Sequence, residues 1–254
     1  MTFRELHFAD EPLLLPNAWD VGSALGFAAA GFRAVGTTSF GVNASNGRPD
    51  AEGASRDATV ELVRRLRRLP VYVSADIEDG FSDDAAEVAA LVAGLGVDGV
   101  NIEDSARGRL VDPRIPAAKI SAIKQAAPEV FVNARIDSYW FNEDATVPAV
   151  RDRAKAYADA GADGIFIPGA AEPATLEQLT GAVSLPVNVL VVPGLTLTDL
   201  KNLGVRRVST GSLPYRVAID AAVEVAAAVR DGRDVPAATS YAEMQQWLLD
   251  FAAP

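Results

Sequence analysis

The stretch Gly96-Val97-Asp98-Gly99-Val100 contains the pattern that decides the fold. An apolar segment with helical periodicity ends at the first glycine, and a short β-branched run follows within a few residues. The same arrangement occurs at Gly31-Phe32-Arg33-Ala34-Val35, Gly161-Ala162-Asp163-Gly164-Ile165 and Gly204-Val205-Arg206-Arg207-Val208. Because a left-handed glycine commonly closes a helix, each copy predicts a helix that leads directly into a buried strand. Three of these glycines, at positions 31, 96 and 161, are 65 residues apart, which fits two strand–helix units per interval.

Eight strands of this kind are predicted, each a nearly continuous apolar run of the type that is covered on both faces. They are Leu13–Pro16, Ala34–Thr37, Val71–Ala75, Gly99–Ile102, Val130–Ala134, Gly164–Ile167, Val187–Leu190 and Arg207–Thr210. Helical patterns lie between them, as in Ala85–Leu95, where apolar residues recur at three- and four-residue spacings. This alternation predicts an α/β protein with a closed (β/α)8 TIM barrel. The competing architecture is a doubly wound open sheet, but no Gly-x-Gly-x-x-Gly follows the first strand.

The chain length of 254 residues allows two ordinary domains or one large domain with a single core. No linker or low-complexity segment divides the chain, so we expect a single barrel domain over residues 1–254. A further amphipathic helix is predicted at Tyr241–Phe251, beyond what a barrel needs. This helix either covers the bottom of the barrel or packs on another subunit.

The charge balance argues against two classes of partner. Lys and Arg total 23 against 34 Asp and Glu, which gives a formal net charge of −11. Nucleic acids and anionic membranes bind basic surfaces, so neither is expected as a partner. No apolar run reaches the length of a membrane span, and the N-terminus lacks a basic-then-apolar signal pattern. We therefore expect a soluble, cytoplasmic protein.

The chain has no cysteine and a single histidine, His7, which we expect at the surface. The missing thiols exclude disulfides, thiolate metal sites and a cysteine nucleophile. One histidine near the terminus also argues against Ser-His catalysis and multi-histidine zinc sites. Any chemistry must therefore use carboxylates, Arg, Lys, hydroxyls, amides and a hard metal ion.

Polar residues are concentrated where the predicted strands end, the edge at which barrel enzymes form their sites. The residues and segments at these positions are Asn17, Asp20, Thr37–Gly41, Asp50, Ser74, Asp76, Glu78, Asp79, Glu103–Ser105, Asn133, Arg135, Asp137, Gly169, Asn188 and Thr210–Ser212, and most of them are polar. Carboxylates that share a pocket raise one another's pKa unless a cation lies between them. Without Cys or His, oxygen-only ligation favours Mg²⁺ or Mn²⁺, held by one or two carboxylates and water.

Several of these residues also have a purely structural interpretation. Helix caps or solvated loop acids account for Asp20, Glu78, Asp79 and Asp104. Arg135 suits bidentate capture of a substrate carboxylate or phosphonate, or else an ion pair with Asp137 or Glu103. Asp76 and Glu103 are harder to explain in this way, because an unpaired acid in an apolar strand is costly to bury.

A resemblance to a known family rests on a set of ordered segments. They are Leu15-Pro16-Asn17-Ala18-Trp19-Asp20, Thr37-Thr38-Ser39-Phe40-Gly41, Arg48-Pro49-Asp50, Ser74-Ala75-Asp76, Asn101-Ile102-Glu103-Asp104 and Asn133-Ala134-Arg135-Ile136-Asp137, followed by 161–166, 186–188 and 204–209. With this set the chain resembles the isocitrate lyase / phosphoenolpyruvate mutase superfamily, and specifically its phosphonomutase-like members. The resemblance extends from about residue 12 to about residue 220.

The resemblance implies a (β/α)8 barrel, commonly a tetramer in which the eighth helix is exchanged between paired subunits. The helical segment 214–254 is the candidate for that exchange, and we expect a homo-oligomer, either a dimer or a tetramer. Members of the family bind Mg²⁺ and a short α-keto acid or its enolate. They make or break a C–C or P–C bond next to the pyruvyl unit.

The resemblance also implies roles for acids at the metal. Asp76 and Glu103 match positions that hold the ion, directly or through water. Glu78 lies on the same loop as Asp76 and is a further candidate ligand. Asp50 matches an acid beside the metal and the substrate.

Substrate contacts are implied in the same way. Ser39, Phe40 and Gly41 match the loop whose backbone amides bind the substrate carboxylate, and Arg135 matches its cationic anchor. Asn188 matches a polar residue of the pocket. Together with Asp50, Ser39 and Arg135 are the candidate catalytic residues.

The chain departs from the family pattern at three places. Ser74 stands where the family often has a metal-side Asp, and Gly169 stands where many relatives have Glu. The segment 105–112 is short and carries neither the Cys and His of the lyase gate nor the Lys-Asn-Ser of the mutase gate. This argues strongly against isocitrate or methylisocitrate lyase activity.

Three functions remain open. The first is Mg²⁺-dependent C–C lyase chemistry through an enolate, with oxaloacetate-type decarboxylation the least demanding case; its proton donor is metal-bound water, Ser39 or Tyr139. The second is P–C cleavage or mutase chemistry on a phosphonopyruvate-like substrate, with Arg107 and Arg109 as additional cations. The third is a barrel that binds a keto acid without turning it over.

Overall fold

In a computed structural model, which describes residues 1–50 and 53–253, parallel strands form a barrel surrounded by helices. The strands are β1 (Leu13–Leu15), β2 (Asn17–Ala18), β3 (Ala34–Thr37), β4 (Tyr72–Asp76), β5 (Gly99–Glu103), β6 (Ser105–Ala106), β7 (Arg109–Leu110), β8 (Phe131–Arg135), β9 (Gly164–Phe166), β10 (Val187–Leu190) and β11 (Arg207–Ser209). All eight predicted strands are present. β6 and β7 form a separate antiparallel hairpin directly after β5.

The barrel closes where its first strand is interrupted. The strand order is β1-β11-β10-β9-β8-β5-β4-β3-β2, and β1 and β2 are two stretches of one strand separated by Pro16. Leu15 is paired with Ser209 of β11, and Asn17 with Gly36 of β3. The Pro16 carbonyl accepts a hydrogen bond from the Gly36 amide at 2.8 Å. The two edges of the sheet therefore meet, and the (β/α)8 prediction is confirmed.

The helices follow the strands in the expected alternation. They are α1 (Phe3–Leu6), α2 (Val21–Ala29), α3 (Ser39–Ser45), α4 (Arg56–Leu66), α5 (Ala85–Leu95), α6 (Arg114–Ala126), α7 (Ser138–Phe141), α8 (Val147–Asp159), α9 (Pro173–Ala182), α10 (Leu197–Asn202), α11 (Leu213–Arg230) and α12 (Tyr241–Ala252). The repeated glycines Gly31, Gly96, Gly161 and Gly204 have φ values of 86°, 61°, 101° and 84°. They adopt the conformation that the repeated pattern predicts. Asp20 caps α2, as its structural interpretation predicts.

The amino-terminal helix closes the bottom of the barrel. Phe3 of α1 packs with Leu13, Leu15 and Phe131 at the strand beginnings. His7, which follows α1, is only 2 % exposed and its ring stacks on Phe131 at 3.9 Å. The expectation of a surface histidine is therefore wrong. Burial, reinforced by the nearby positive charge of Arg207, lowers the pKa of His7 to about 3.

The carboxyl-terminal helices expose apolar side chains. Val217, Val223 and Val229 of α11 are each more than half exposed, as are Tyr241 and Leu249 of α12. The predicted helix at 241–251 is present as α12, and its last residues contact Arg68, which precedes β4: Arg68 donates to the Ala253 carbonyl at 2.7 Å. No helix in the described part of the chain is long and apolar enough to cross a membrane.

Candidate active site

A cavity of about 750 Å³ opens at the carboxyl ends of the strands. Seven of the nine predicted site residues line it: Ser39, Phe40, Asp50, Asp76, Glu78, Glu103 and Arg135. Gly41 and Asn188 do not line it. Cavities of this size commonly hold small molecules, and the parallel strands bring together residues that are distant in the chain.

Asp76 lies at the end of β4 and is 8 % exposed. Its Oδ2 accepts a hydrogen bond from the Ser39 amide at 3.1 Å, and its own amide donates to Thr37 Oγ1 at 2.8 Å. Its other oxygen, Oδ1, is buried without a hydrogen-bond partner among the described residues. A buried acceptor is costly to leave unsatisfied, so this oxygen is available for a ligand.

Gly41 lies in α3, where a side chain would not fit. A Cβ there would lie 2.9 Å from Cβ of Trp19 and 2.8 Å from Cγ2 of Thr38. Its amide donates to Thr38 Oγ1 at 3.4 Å, which caps the helix. Close packing therefore accounts for this glycine, and its amide already has a partner.

Arg135 is held between two carboxylates at the mouth of the barrel. Its Nη1 lies 2.5 Å from Oε1 of Glu103, and its Nε lies 2.6 Å from Oδ1 of Asp137. The guanidinium carbon is also 5.8 Å from the ring centre of Trp140 and 5.7 Å from that of Phe166. The ion pairs proposed as the structural alternative for Arg135 are thus both present. They fix the guanidinium plane in the cavity wall.

The electrostatics of this group follow from burial and charge. Burial would lower the pKa of Arg135, but Glu103 and Asp137 outweigh it and raise that pKa. Burial raises the pKa of Glu103, and the Arg135 guanidinium opposes that shift. The arginine is therefore always charged, and the acids that surround it neutralise it.

Two further predicted acids face the cavity from loops. Glu78 has a left-handed backbone with φ 49°, and its carboxylate accepts hydrogen bonds from the Ser55 hydroxyl and the Gly53 amide. Burial raises the pKa of Glu78. Burial and the charge of Asp76 together raise the pKa of Asp50. Asp50 and Glu78 thus hold a proton more readily than a free carboxylate does.

Asn188 lies one layer deeper than predicted. β10 continues for two residues beyond it, so Leu190 is the residue of that strand that lines the cavity. Asn188 is fully buried, and its amide donates to Ser209 Oγ at 3.1 Å. This places Asn188 in a polar layer of the barrel interior.

The same interior layer contains Arg207, which the sequence analysis did not identify. Its guanidinium donates to Ser209 Oγ and to Asn101 Oδ1, both at 3.1 Å, and its Nη1 has no partner among the described residues. The sequence signal was strand alternation, since Arg207 lies two residues before Ser209 and faces the same side.

The structure shows what surrounds Ser74 and Gly169, two positions at which the chain departs from the family pattern. Ser74 is buried and its hydroxyl has no hydrogen-bond partner among the described residues. Gly169 has φ 84°, and a Cβ there would lie 2.9 Å from the Tyr139 carbonyl oxygen. The close approach of the α7 backbone therefore excludes a glutamate with this local geometry.

Asp104 is fully buried, so the expectation of a solvated acid is wrong. Its Oδ1 accepts a hydrogen bond from the Asp137 amide, and its Oδ2 accepts from Arg153 Nη1 and the Tyr157 hydroxyl, each at 2.9 Å. Because Asp137 in turn binds Arg135, Asp104 positions the cation of the site from behind. The signal available in the sequence was the helical spacing of Arg153 and Tyr157.

The predicted metal ligands share the cavity but do not converge on one point. Over residues 1–50 and 53–253, no group of three or more His, Asp or Glu side chains is arranged to hold a metal ion. Glu103 is engaged by Arg135, and Glu78 by Ser55 and Gly53. Asp76 alone of the three offers a buried carboxylate oxygen without a partner.

A family model described as phosphoenolpyruvate phosphomutase matches residues 3–230. An uncharacterized protein of Mycobacterium tuberculosis (strain ATCC 25618 / H37Rv) is 52 % identical over 251 residues, covering 99 % of this chain and 97 % of its own.

Relatives with lower sequence identity are named after enzymatic activities. Oxaloacetate decarboxylase of Rhodopseudomonas palustris (strain TIE-1) is 30 % identical over 215 residues, covering 78 % of this chain and 73 % of its own. The structure of phosphonopyruvate hydrolase in complex with oxalate and Mg²⁺ superposes with a TM-score of 0.87 at 25 % identity, covering 98 % of this chain and 96 % of its own.

Proposed function

The chain belongs to the phosphoenolpyruvate phosphomutase family, and from that premise we propose that it is a Mg²⁺-dependent lyase that cleaves a C–C bond of a small α-keto acid. Oxaloacetate-type decarboxylation is the reaction we favour. The observation that carries the proposal is the arrangement at the cavity floor. Asp76, whose Oδ1 is buried without a partner among the described residues, and Arg135, whose guanidinium is held by two acids, both line this cavity.

The donors of the cavity fit Mg²⁺. This ion commonly binds only one or two protein carboxylates and keeps several waters, and Asp76 Oδ1 is an unpartnered oxygen of the right kind. Asp76 would hold the ion directly, with Glu103 and Glu78 acting through water. When bound, the ion supplies Lewis-acid stabilisation of the negative charge that develops on the keto oxygen.

The chain's own residues orient the substrate. Arg135 presents a guanidinium that Glu103 and Asp137 hold in one orientation, and its remaining N–H groups can bind the substrate carboxylate. Ser39 and Phe40 lie at the start of α3 on the cavity wall. Fixing the carboxylate in this way aligns the bond to be cleaved with the carbonyl π system.

The reaction balances with one proton. The bond between C3 and the departing carboxylate breaks, carbon dioxide leaves, and the electron pair remains on C3. A proton delivered to C3 then gives pyruvate. Asp50 is a suitable proton carrier because burial and Asp76 raise its pKa. The Ser39 hydroxyl lines the same cavity, whereas Tyr139 does not.

The test is turnover of oxaloacetate, followed by pyruvate and carbon dioxide formation after correction for spontaneous decay. We expect EDTA to abolish activity and Mg²⁺ to restore it. Asp76→Ala should lower kcat by at least about a hundredfold, as expected for loss of an electrostatic catalytic group. Glu61→Gln on the outer face of α4 is the matched control and should leave turnover unchanged.

Two other outcomes would replace this function. Phosphate release from phosphonopyruvate without decarboxylation would favour P–C cleavage, for which Arg107 on the cavity wall is the supporting observation. Binding of keto acids without any product would favour a non-catalytic barrel, which Ser74 and Gly169 motivate.

We also propose a homo-oligomer in which the segment 214–254 packs on a second copy of the chain. The exposed valines of α11 and the exposed apolar residues of α12 support it, because monomers rarely expose large contiguous apolar surfaces. Light scattering on the purified protein should give a dimer or tetramer mass. A monomer at micromolar concentration would overturn it.

A further inference from the structure

Asn101 lies on the floor of the cavity, between the candidate site and the polar interior of the barrel. It belongs to β5, two residues before Glu103, and is paired in register with Asp76 of β4. The side chains of Asn101, Asp76 and Glu103 all line the cavity. The Asn101 carboxamide is therefore a neighbour of the acid on which the proposed function depends.

The Asn101 carboxamide is held from the interior side. Its Oδ1 accepts hydrogen bonds from Arg207 Nη2 at 3.1 Å and from Asn133 Nδ2 at 2.9 Å. Neither of these two donors lines the cavity, so the carboxamide oxygen faces inward. Nδ2 donates to none of the described residues and is not one of their buried atoms without a partner. Asn101 thus presents its NH₂ group, a hydrogen-bond donor, to the cavity.

Arg207 decides this orientation. Two carboxamides such as those of Asn101 and Asn133 can form an equivalent hydrogen bond after both groups are turned over. A guanidinium offers donors and no acceptor, so Arg207 accepts only an oxygen as its neighbour. If Asn101 were turned over, its NH₂ group would face the guanidinium and two buried donors would lack an acceptor. The charge of Arg207 also polarises the carboxamide, which strengthens the N–H groups on its other side.

We propose that Asn101 is a substrate-contacting residue, whose Nδ2 donates a hydrogen bond to the substrate oxygen on which negative charge develops, and that Arg207 is its positioning residue. This inference rests on the proposed function and deepens it, because that oxygen is the keto oxygen of the substrate. A donor that is fixed before the reaction and directed at developing charge makes a large contribution to catalysis. Such a role also gives the chain a reason to keep a buried cation directly beneath the site.

Asn101→Leu and Asn101→Asp test the donor, because both side chains have nearly the shape of asparagine and neither has its NH₂ group. Asn101→Asp also keeps an acceptor for Arg207, so it covers the case in which Asn101→Leu does not fold. In both variants kcat for oxaloacetate should fall by about a hundredfold, as for loss of one donor to an oxyanion. A loss in Asn101→Asp alone, with a folded Asn101→Leu that is fully active, would mean charge repulsion and would overturn the role of the donor.

Binding measurements give a readout that does not depend on turnover. Oxalate carries anionic oxygens where an enolate would have one, whereas the keto oxygen of pyruvate is uncharged. In calorimetric titrations with Mg²⁺, Asn101→Leu should bind oxalate about tenfold more weakly, equivalent to about 1.4 kcal/mol, and pyruvate less than about twofold more weakly.

Arg207→Met and Asn133→Leu form a matched pair, because each removes one donor to the same oxygen of Asn101. Only Arg207→Met allows the carboxamide to turn over, so it should lower kcat and oxalate affinity by about tenfold, and Asn133→Leu should lower them less. Arg207→Lys should restore most of the loss, since an ammonium group also has donors and no acceptor. In an Asn101→Leu background, Arg207→Met should have no further effect, whereas a merely structural role of Arg207 would give the same loss in both backgrounds.

The outcomes distinguish the role of Asn101 from the lyase function. An unchanged kcat and oxalate affinity in Asn101→Leu, equal losses in Arg207→Met and Asn133→Leu, or no binding of oxalate to the wild type would overturn the proposed pair of roles. A wild type that binds oxalate through Asn101 and Arg207 but does not turn over oxaloacetate would retain both roles and remove the lyase function.

Discussion

Two arginines buried in the same barrel differ in what surrounds their charge. Arg135, at the mouth, contacts two carboxylates, which raise its pKa. Arg207, in the interior, contacts only Ser209 and Asn101, and burial lowers its pKa to about 9, although Asp76 opposes the shift. The mouth is thus built from mutually compensating charges. The interior retains a cation that no carboxylate of the described residues pairs directly.

The difference determines what each residue contributes to stability. Removing one partner of a buried ion pair leaves an uncompensated charge, whereas removing an unpaired buried charge relieves a desolvation cost. The two arginines should therefore respond to substitution with opposite signs.

The largest effect is expected for Arg135→Ala. This change leaves Glu103 and Asp137 buried without their cation, so the free energy of unfolding should fall by about 3–5 kcal/mol. Turnover of the keto acid should be lost as well. Urea denaturation followed by circular dichroism measures the first effect, and the decarboxylation assay the second.

Arg135→Lys is the control that keeps the charge but not the guanidinium geometry. It should recover most of the stability and little of the activity, because an ammonium group cannot maintain the same set of directed hydrogen bonds. Equal stability of Arg135→Ala and the wild type would show that the paired arrangement at the mouth contributes nothing to folding.

The local features of the fold could be predicted from the sequence. Features that depend on contacts between residues far apart in the chain could not. The strands and the closing glycines follow from short-range patterns, and each of the eight strands is present. Asp104 was misjudged because its partner Arg153 lies 49 residues away on helix α8. His7 was misjudged because its burial depends on α1 folding across the barrel and onto Phe131. Asn188 was placed at the mouth although it lies two residues before the end of its strand, whose bounds, 187–190, were predicted correctly.

The candidate site shows the same division. The positions at the strand ends, together with the family resemblance, indicated nine residues that would share a cavity. Seven of these nine residues line it. The hydrogen bonds that Glu78 accepts from Gly53 and Ser55 were not predicted, since they depend on how a distant segment folds onto the site. The ion pair between Arg135 and Glu103 was predicted as one alternative and is present.

His7, stacked on Phe131 at the bottom of the barrel, should make the stability of the protein depend on pH. Its pKa is about 3 in the folded protein against an ordinary value of 6.5. The unfolded chain therefore binds more protons between these values, and stability is present above pH 6.5 and lost as the pH falls toward 3. Between pH 7 and pH 4, His7 should account for a loss of about 3 kcal/mol.

His7→Asn separates this loss from the titration of carboxylates. The asparagine amide can keep the hydrogen bond to the Phe3 carbonyl that Nδ1 makes at 3.0 Å, but it does not titrate. The variant should be less stable than the wild type at pH 7 and should lose less stability on acidification, as measured by urea midpoints at several pH values. Parallel pH profiles for the two proteins would contradict a buried neutral histidine.

The smallest effect, of opposite sign to the first, is expected for Arg207→Met. Methionine has a similar length and no charge, and both acceptors of Arg207 retain other donors: Asn133 for Asn101, and Asn188 for Ser209. No new unsatisfied acceptor is therefore created, and the orphaned Nη1 is removed. The free energy of unfolding should be unchanged or rise by about 1–2 kcal/mol, because hydrophobic replacement of buried charge is often neutral or stabilising. A loss as large as that of Arg135→Ala would instead mean that Asp76, which also acts on this charge, depends on Arg207 as its counter-ion in the folded barrel.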